Sequence, residues 1–259
     1  MKTMLKKILI CLLALLFIPT LRLDMHAATE VSWYFKKNSE HKQPTLDANL
    51  EFINNYSCYY VDKNHGDSCE DKVIYLTFDA GYENGNVEKI LDVLKEKNVK
   101  GAFFVLGHLI ENNTALVKRM VDEGHLVCNH TASHKNMAKV TDSAKFKEEL
   151  EKLEVLYEEK IGGEMPKFYR PPEGTFTEDN LKMLEQLGYK TILWSFAYAD
   201  WDNNKQLSPD TAMEKLINGT HNGEILLLHP TSATNAQILN KLIDTWREMG
   251  YRFGTLDEL

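Results

Sequence analysis

Residues 72–106 read KVIYLTFDAGYENGNVEKILDVLKEKNVKGAFFVL: a short apolar run, a longer amphipathic one and a second short apolar run. VIYLTF (73–78) is rich in β-branched and aromatic residues, too short for a helix, and has the texture of a strand buried on both faces. The amphipathic stretch from Asn86 to Lys97 predicts a helix, and GAFFVL (101–106) a second strand. Strand, helix and strand in this order form a βαβ unit, whose strands are parallel. The alternation continues outward, with helices near 113–123, 141–160, 177–187, 209–219 and 235–249. Further strands are expected at HLVCN (125–129), KFYR (167–170), TILWSF (191–196), EILLLH (224–229) and YRFGTL (251–256). Thr177 before an acidic first turn and Gly188 after the last periodic leucine punctuate one helix as caps do. The fold class is therefore α/β. About seven apolar parallel strands close into a barrel more readily than they form an open sheet. There is no repeat of 20–50 residues, so a solenoid is not expected.

Upstream of this pattern, residues 29–71 are polar and aromatic without a period. They predict an irregular N-terminal extension packed on a 72–259 domain through Trp33, Tyr34, Phe35, Tyr59 and Tyr60. Residues 1–28 have the three parts of a secretory signal peptide: Lys2, Lys6 and Lys7, an apolar run from Ile8 to Leu21, and small residues at Ala27 and Ala28 near the expected cleavage point. An uncleaved anchor is the alternative. In both cases the body is exported, and no later segment approaches the roughly 20 apolar residues of a membrane span. The 259 residues are 43% hydrophobic and 26% charged, an ordinary globular composition, and the net charge of −8 repels a phosphate backbone. Nucleic acid is thereby excluded as a general partner. Of the four cysteines Cys11 lies in the leader and Cys128 in the apolar HLVC. Cys58 and Cys69 are compatible with a bridge in an oxidising compartment or with two free thiols. No C-x-x-C pair occurs, so a thiolate zinc site or redox motif has no support.

In parallel α/β architectures reactive groups collect where strands end. Here VIYLTF runs into Asp79, Gly81, Tyr82, Glu83 and Asn84; HLVC into Asn129, His130 and His134; KFYR into Arg170 and RPPEG; TILWSF toward Asp200 and Trp201; and EILLL into His229. Singly, each has an ordinary explanation. An Asp at a strand end caps a turn, an Arg before two prolines closes an ion pair, and a His after three leucines is satisfied in a core. His130 and His134, at i and i+4, share a face if helical and could hold a metal there. Together these strand ends make a mouth lined with a carboxylate, imidazoles and a guanidinium.

TFDAGYENG (77–85), NHTASH (129–134), RPPEG (170–174), WSFAYADW (194–201) and LLLH (226–229) resemble, in order and spacing, the five motifs of the polysaccharide deacetylases, carbohydrate esterase family four with the NodB-homology domain. The resemblance covers about Lys72 to Leu259. In its wording it is most similar to the delta-lactam-biosynthetic de-N-acetylases of endospore formers, which act on N-acetylmuramic acid of cortex peptidoglycan. It implies a distorted (β/α) barrel of NodB type and a divalent metal ion in the mouth, zinc first, with cobalt, manganese or nickel as alternatives. It also implies Asp79 as general base, Arg170 as the group orienting it, His229 as general acid, and His130 and His134 as metal ligands. Tyr82, Glu83, Asn84, Pro172, Glu173, Gly174, Asp200 and Trp201 are the expected substrate-binding residues. The implied partner is a peptidoglycan glycan strand after an amidase has removed its stem peptides, and the implied location is the cell wall or the forespore intermembrane space.

These roles suit the chemistry, because amide hydrolysis needs an activated water, an electrophile at the carbonyl oxygen and a proton for the departing amine. Two departures from the family pattern stand out. Ala80 replaces a second Asp that supplies a third metal ligand in most relatives, and Ala197 aligns with the Asp expected to orient the acid histidine, a job left to Asp200 or to nobody. Glu173 at the mouth either selects against anionic stems or is a solvated loop carboxylate, and Trp201 either walls the pocket or belongs to the core. N-acetylmuramic acid is the expected substrate. N-acetylglucosamine of peptidoglycan or of chitin-type chains, and a non-catalytic wall binder, are the alternatives.

Overall fold

The computed structural model describes residues 29–37 and 40–259; the expected leader, 1–28, lies outside them. The elements are β1 (Val31–Ser32), β2 (Cys58–Tyr59), β3 (Lys72–Ala80), α1 (Val87–Glu96), β4 (Ala102–Val105), α2 (Gly107–Asn112), α3 (Thr114–Asp122), β5 (Leu126–Asn129) and α4 (Ser143–Lys160). The chain continues through β6 (Phe168–Tyr169), β7 (Thr175–Phe176), α5 (Glu178–Gln186), β8 (Lys190–Ile192), β9 (Phe196–Ala197), α6 (Pro209–Gly219), β10 (Glu224–Leu228), α7 (Ala233–Glu248) and β11 (Tyr251–Phe253). Nine strands form one parallel sheet in the order β2-β8-β6-β5-β4-β3-β10-β9, with β11 on the first residues of β3. It curls into a half-barrel.

Period two along β3 sorts its side chains. Ile74, Leu76, Phe78 and Ala80 point outward into the layer of α1, α3 and α7, with Ile90, Leu94, Val117, Leu239 and Trp246. Val73 and Tyr75 point into the barrel with Ala102, Phe104, Cys128, Ile192 and Ile225. Thr77 and Asp79 continue this inner row, so Asp79 reaches the mouth at the end of a strand whose residues 73–78 are all buried.

Two sequence expectations change. The single strand expected at TILWSF is two: β8 pairs with β6 and β2, and β9 with β10. The ladder breaks because the carbonyls of Ile192 and Leu193 accept hydrogen bonds from Arg170 instead of from a neighbouring strand. The extension is also more than an appendage, since β1 pairs with β7, β2 with β8, and Val61 bridges Glu224 of β10. Cys58, Cys69 and Cys128 are all free thiols, so no bridge joins the first two.

Candidate active site

Arg170, at the end of β6, is 0% exposed and has all its reach committed. Nε donates to Ile192 O (3.0 Å), one terminal nitrogen to Asp79 Oδ1 (2.9 Å), and the other to Thr77 Oγ1 (2.8 Å) and Leu193 O (3.2 Å). The guanidinium lies 4.2 Å from the Phe104 ring centroid and 5.7 Å from that of Trp194, flat cation on aromatic faces. Burial pushes the Asp79 carboxyl up. The pull of His130 when protonated, of Arg170 and of His229 outweighs it and holds Asp79 below the usual carboxylate range. With Oδ1 held, Oδ2 is the free oxygen, 3.6 Å from His130 Nε2.

Across the mouth His229 follows β10. Its Nδ1 bonds Asp200 Oδ1 at 2.8 Å, and its backbone N–H donates to Asp200 Oδ2 at 2.8 Å. Burial pushes the imidazole down, but Asp200, with help from Asp79, wins and raises it above its ordinary value. Nδ1 is thus engaged and Nε2 remains for chemistry. Asp200 is the carboxylate that orients His229, although Ala197 stands where that Asp was expected. Asp200 is 1% exposed, so it sits behind His229 and is not a substrate contact.

His130 and His134 come together, their ring centroids 5.1 Å apart and edge to face. They do not lie on a helix as the i, i+4 spacing suggested. The segment after β5 is a loop in which Thr131 (φ 71°) and His134 (φ 58°) take left-handed backbone. Asn129 Oδ1 accepts from Thr131 N at 2.8 Å and Thr131 Oγ1 from His134 N at 2.8 Å, which hold that conformation. Burial pushes His130 down to about 4, and its Nδ1 bonds the Arg170 carbonyl at 2.9 Å. It is therefore a neutral imidazole with its Nε2 lone pair free.

The expected substrate contacts divide. Tyr82 (43% exposed) and Trp201 (64% exposed) stand on the rim, Trp201 outside the core, and Asn203 Nδ2 ties the Tyr82 hydroxyl at 2.7 Å. Glu173 is exposed there in left-handed backbone (φ 58°). Pro172 and Gly174 are buried, and a side chain on Gly174 would meet Trp194 at 2.7 Å, so both shape the turn instead of touching a ligand. Glu83 turns to the N–H groups that open α1, and Asn84 Nδ2 donates to Thr231 O (2.9 Å), so these two hold loops together. Sequence reasoning missed Thr77, Asn129, Thr131, Trp194 and Asn235. All are partners of partners: Thr77, Asn129, Thr131 and Trp194 lie inside quoted motifs without an assigned role, and only Asn235 lies outside them and carried no signal.

A family model described as polysaccharide deacetylase matches residues 66–192. The chain is 39% identical over 232 residues to the peptidoglycan-N-acetylmuramic acid deacetylase PdaA of Bacillus subtilis, covering 88% of this chain and 85% of that protein. The chain belongs to the polysaccharide deacetylase family. It resembles the solved structure of Bacillus subtilis PdaA, a family 4 carbohydrate esterase, with TM-score 0.83 and 37% identity over 89% of this chain and 96% of that one. A peptidoglycan-N-acetylglucosamine deacetylase of Bacillus cereus is 36% identical over 190 residues, 72% of this chain and 67% of that protein. As a member of this family the chain is a hydrolase acting on an N-acetyl amide, and such deacetylases are metalloenzymes in general. Among the described residues no group of three or more His, Cys, Asp and Glu is arranged to hold an ion. The two donors that suit a divalent cation completed by water are the imidazoles, His130 buried and neutral with Nε2 uncommitted and His134 beside it.

Proposed function

We propose that this protein is an exported deacetylase of N-acetylmuramic acid in peptidoglycan, whose product amine is the precursor of muramic δ-lactam in spore cortex. The observation that carries the reading is the pairing of Asp79 with Arg170 and His229 with Asp200 at one mouth, in a chain similar over most of its length to PdaA. Residues 1–28 serve as the export signal, which suits a wall polymer as substrate. His130 and His134 would hold a divalent ion, zinc first, with cobalt, manganese or nickel also compatible. When bound, such an ion would polarise the acetyl carbonyl and lower the pKa of a water.

Asp79 Oδ2 takes the proton of the attacking water, while Arg170 on Oδ1 keeps the carboxylate ionised and aimed. His229 Nε2 gives the proton to the departing amine, since Nδ1 is committed to Asp200. Tyr82 and Trp201 offer exposed aromatic faces for sugar rings. Glu173, a fixed negative charge at the rim, favours strands from which an amidase has already removed the anionic stems.

The test is mass spectrometry of cortex-type glycan strands, with and without stem peptides, after incubation with the mature protein and added divalent metal. Loss of acetyl from stem-free muramic acid supports the reading. Loss from glucosamine instead would replace it by the specificity in the name of the Bacillus cereus relative. Asp79→Asn is expected to abolish turnover while leaving strand binding in place.

A further inference from the structure

The mechanism above leaves unused a buried side chain that touches both members of the acid pair. Asn235, third residue of α7 and 1% exposed, donates from Nδ2 to Asp200 Oδ2 at 2.6 Å and to the His229 carbonyl at 3.1 Å. Its Oδ1 accepts from the Tyr198 hydroxyl, and its backbone N donates to Ser232 Oγ at 3.1 Å. Burial pushes the Tyr198 phenol up, so it stays a proton donor and assigns the amide: oxygen toward Tyr198, nitrogen toward Asp200.

Asp200 therefore has three donors. His229 Nδ1 lies on Oδ1, and His229 N and Asn235 Nδ2 share Oδ2. Both His229 donors belong to the residue that is to be oriented, so on their own they leave ring and carboxylate free to turn together. The amide is the second point on that oxygen, and it sets the carboxylate plane. It also joins the end of β10, the loop after β9 and the start of α7.

We infer that Asn235 is a positioning residue for the general acid: it holds the Asp200 carboxylate in the plane from which Oδ1 fixes the His229 ring, with Nε2 toward the cleft. The inference rests on His229 being the acid of the proposed deacetylation. The charged groups that bear on His229 are Asp200, Asp79 and Arg170, from the loop after β9, β3 and β6, and none comes from α7. Asn235 therefore acts through Asp200.

The experiment uses the mature protein with Asn235→Ala and Asn235→Asp. Asn235→Ala is expected to lower kcat about tenfold, the scale of one lost hydrogen bond to an ion, with KM within about twofold and the alkaline limb of the pH profile moved to lower pH. Asn235→Asp keeps the size of the side chain and can donate to Asp200 only when its carboxyl is protonated. Its activity is expected to recover toward acid pH, which a filler of space would not do. NMR titration of the His229 ring without substrate, assigned with His229→Gln, reads the same coupling independently of turnover, and its midpoint falls in Asn235→Ala. An unchanged midpoint, or a lowered Tm with kcat and pH profile as in the parent, would overturn the inference. A parent inert on every glycan strand would instead sink the deacetylation reading, while the titration still tests Asn235.

Discussion

Arg170 is the place where fold and chemistry depend on one side chain, and two substitutions separate its charge from its shape. Arg170→Lys keeps a cation for Asp79, but one ammonium cannot reach Asp79, Thr77, Ile192 O and Leu193 O together. At least the two backbone carbonyls lose their donor, at about 1–1.5 kcal/mol each, or about 2–3 kcal/mol in all. Arg170→Met also strips Asp79 of its counter-ion, and breaking a buried pair costs about 3–5 kcal/mol. For a chain of this size each kcal/mol moves Tm by about 2–4 °C, so the expected losses are about 4–12 °C for Lys and, with both losses together, about 10–32 °C for Met. Differential scanning calorimetry in the presence of chelator measures this without interference from a bound ion. The pH dependence supplies an independent sign. Because the folded Asp79 carboxyl lies below its usual range, the stability from its pairing is present above the unfolded carboxylate range and is lost as pH falls through the folded value. The gap between the Met and Lys variants should therefore close on acidification. A Lys variant melting with the parent would refute the shared-donor account, and equal losses for Lys and Met at neutral pH would refute the counter-ion account.

Glu224 is fully buried with Oε1 unpartnered, and burial raises its carboxyl well above the ordinary value, so the folded state keeps a proton that the unfolded chain releases. Stability should fall as pH rises above the unfolded glutamate value, and Glu224→Gln should remove that slope and raise Tm near neutral pH; identical pH–Tm curves would contradict this. Glu173 holds left-handed backbone, so Glu173→Gly is expected to stabilise by about 1 kcal/mol, and comparing its activity on stem-bearing strands with that of the parent tests the rim charge. His229 is raised by Asp200, so kcat/KM should hold through neutral pH and fall as pH rises through that raised value; a profile with no alkaline limb would remove His229 as the acid. Trp33 Nε1 donates to Trp194 O at 3.0 Å, and its backbone N–H to Gly174 O at 2.9 Å. Trp33→Ala should cost about 3–5 kcal/mol by thermal unfolding and reduce activity with it, and full activity at unchanged Tm would show the extension to be dispensable.

The contrast between what sequence patterns conveyed and what they did not follows the range of the interactions. The apolar run 73–78 reads as a buried strand with Asp79 at its end, and the expected helices fall within two residues of α1, α3, α4, α5, α6 and α7. Local preferences decide such elements, which is why local patterns report them. The errors arise where a distant side chain overrides the local preference. TILWSF has the texture of one strand, yet Arg170 takes the carbonyls that would continue the ladder. NHTASH has a spacing that suits one helical face, yet Asn129 and Thr131 bond its backbone into left-handed turns. The Asp200 case is the most instructive. Motif alignment put the orienting carboxylate at position 197, an alanine here, and left its job to Asp200 or to nobody. The break after β8 lets the chain bend, so that Asp200, three residues further on, reaches both the ring and the backbone of His229. One buried guanidinium thus bonds the Asp79 carboxylate and occupies the carbonyls that would otherwise extend β8, and Asp200, the partner of His229, enters through the bend that follows. Substitutions at Arg170 should accordingly disturb both halves of the site, a coupling that position-by-position comparison does not register.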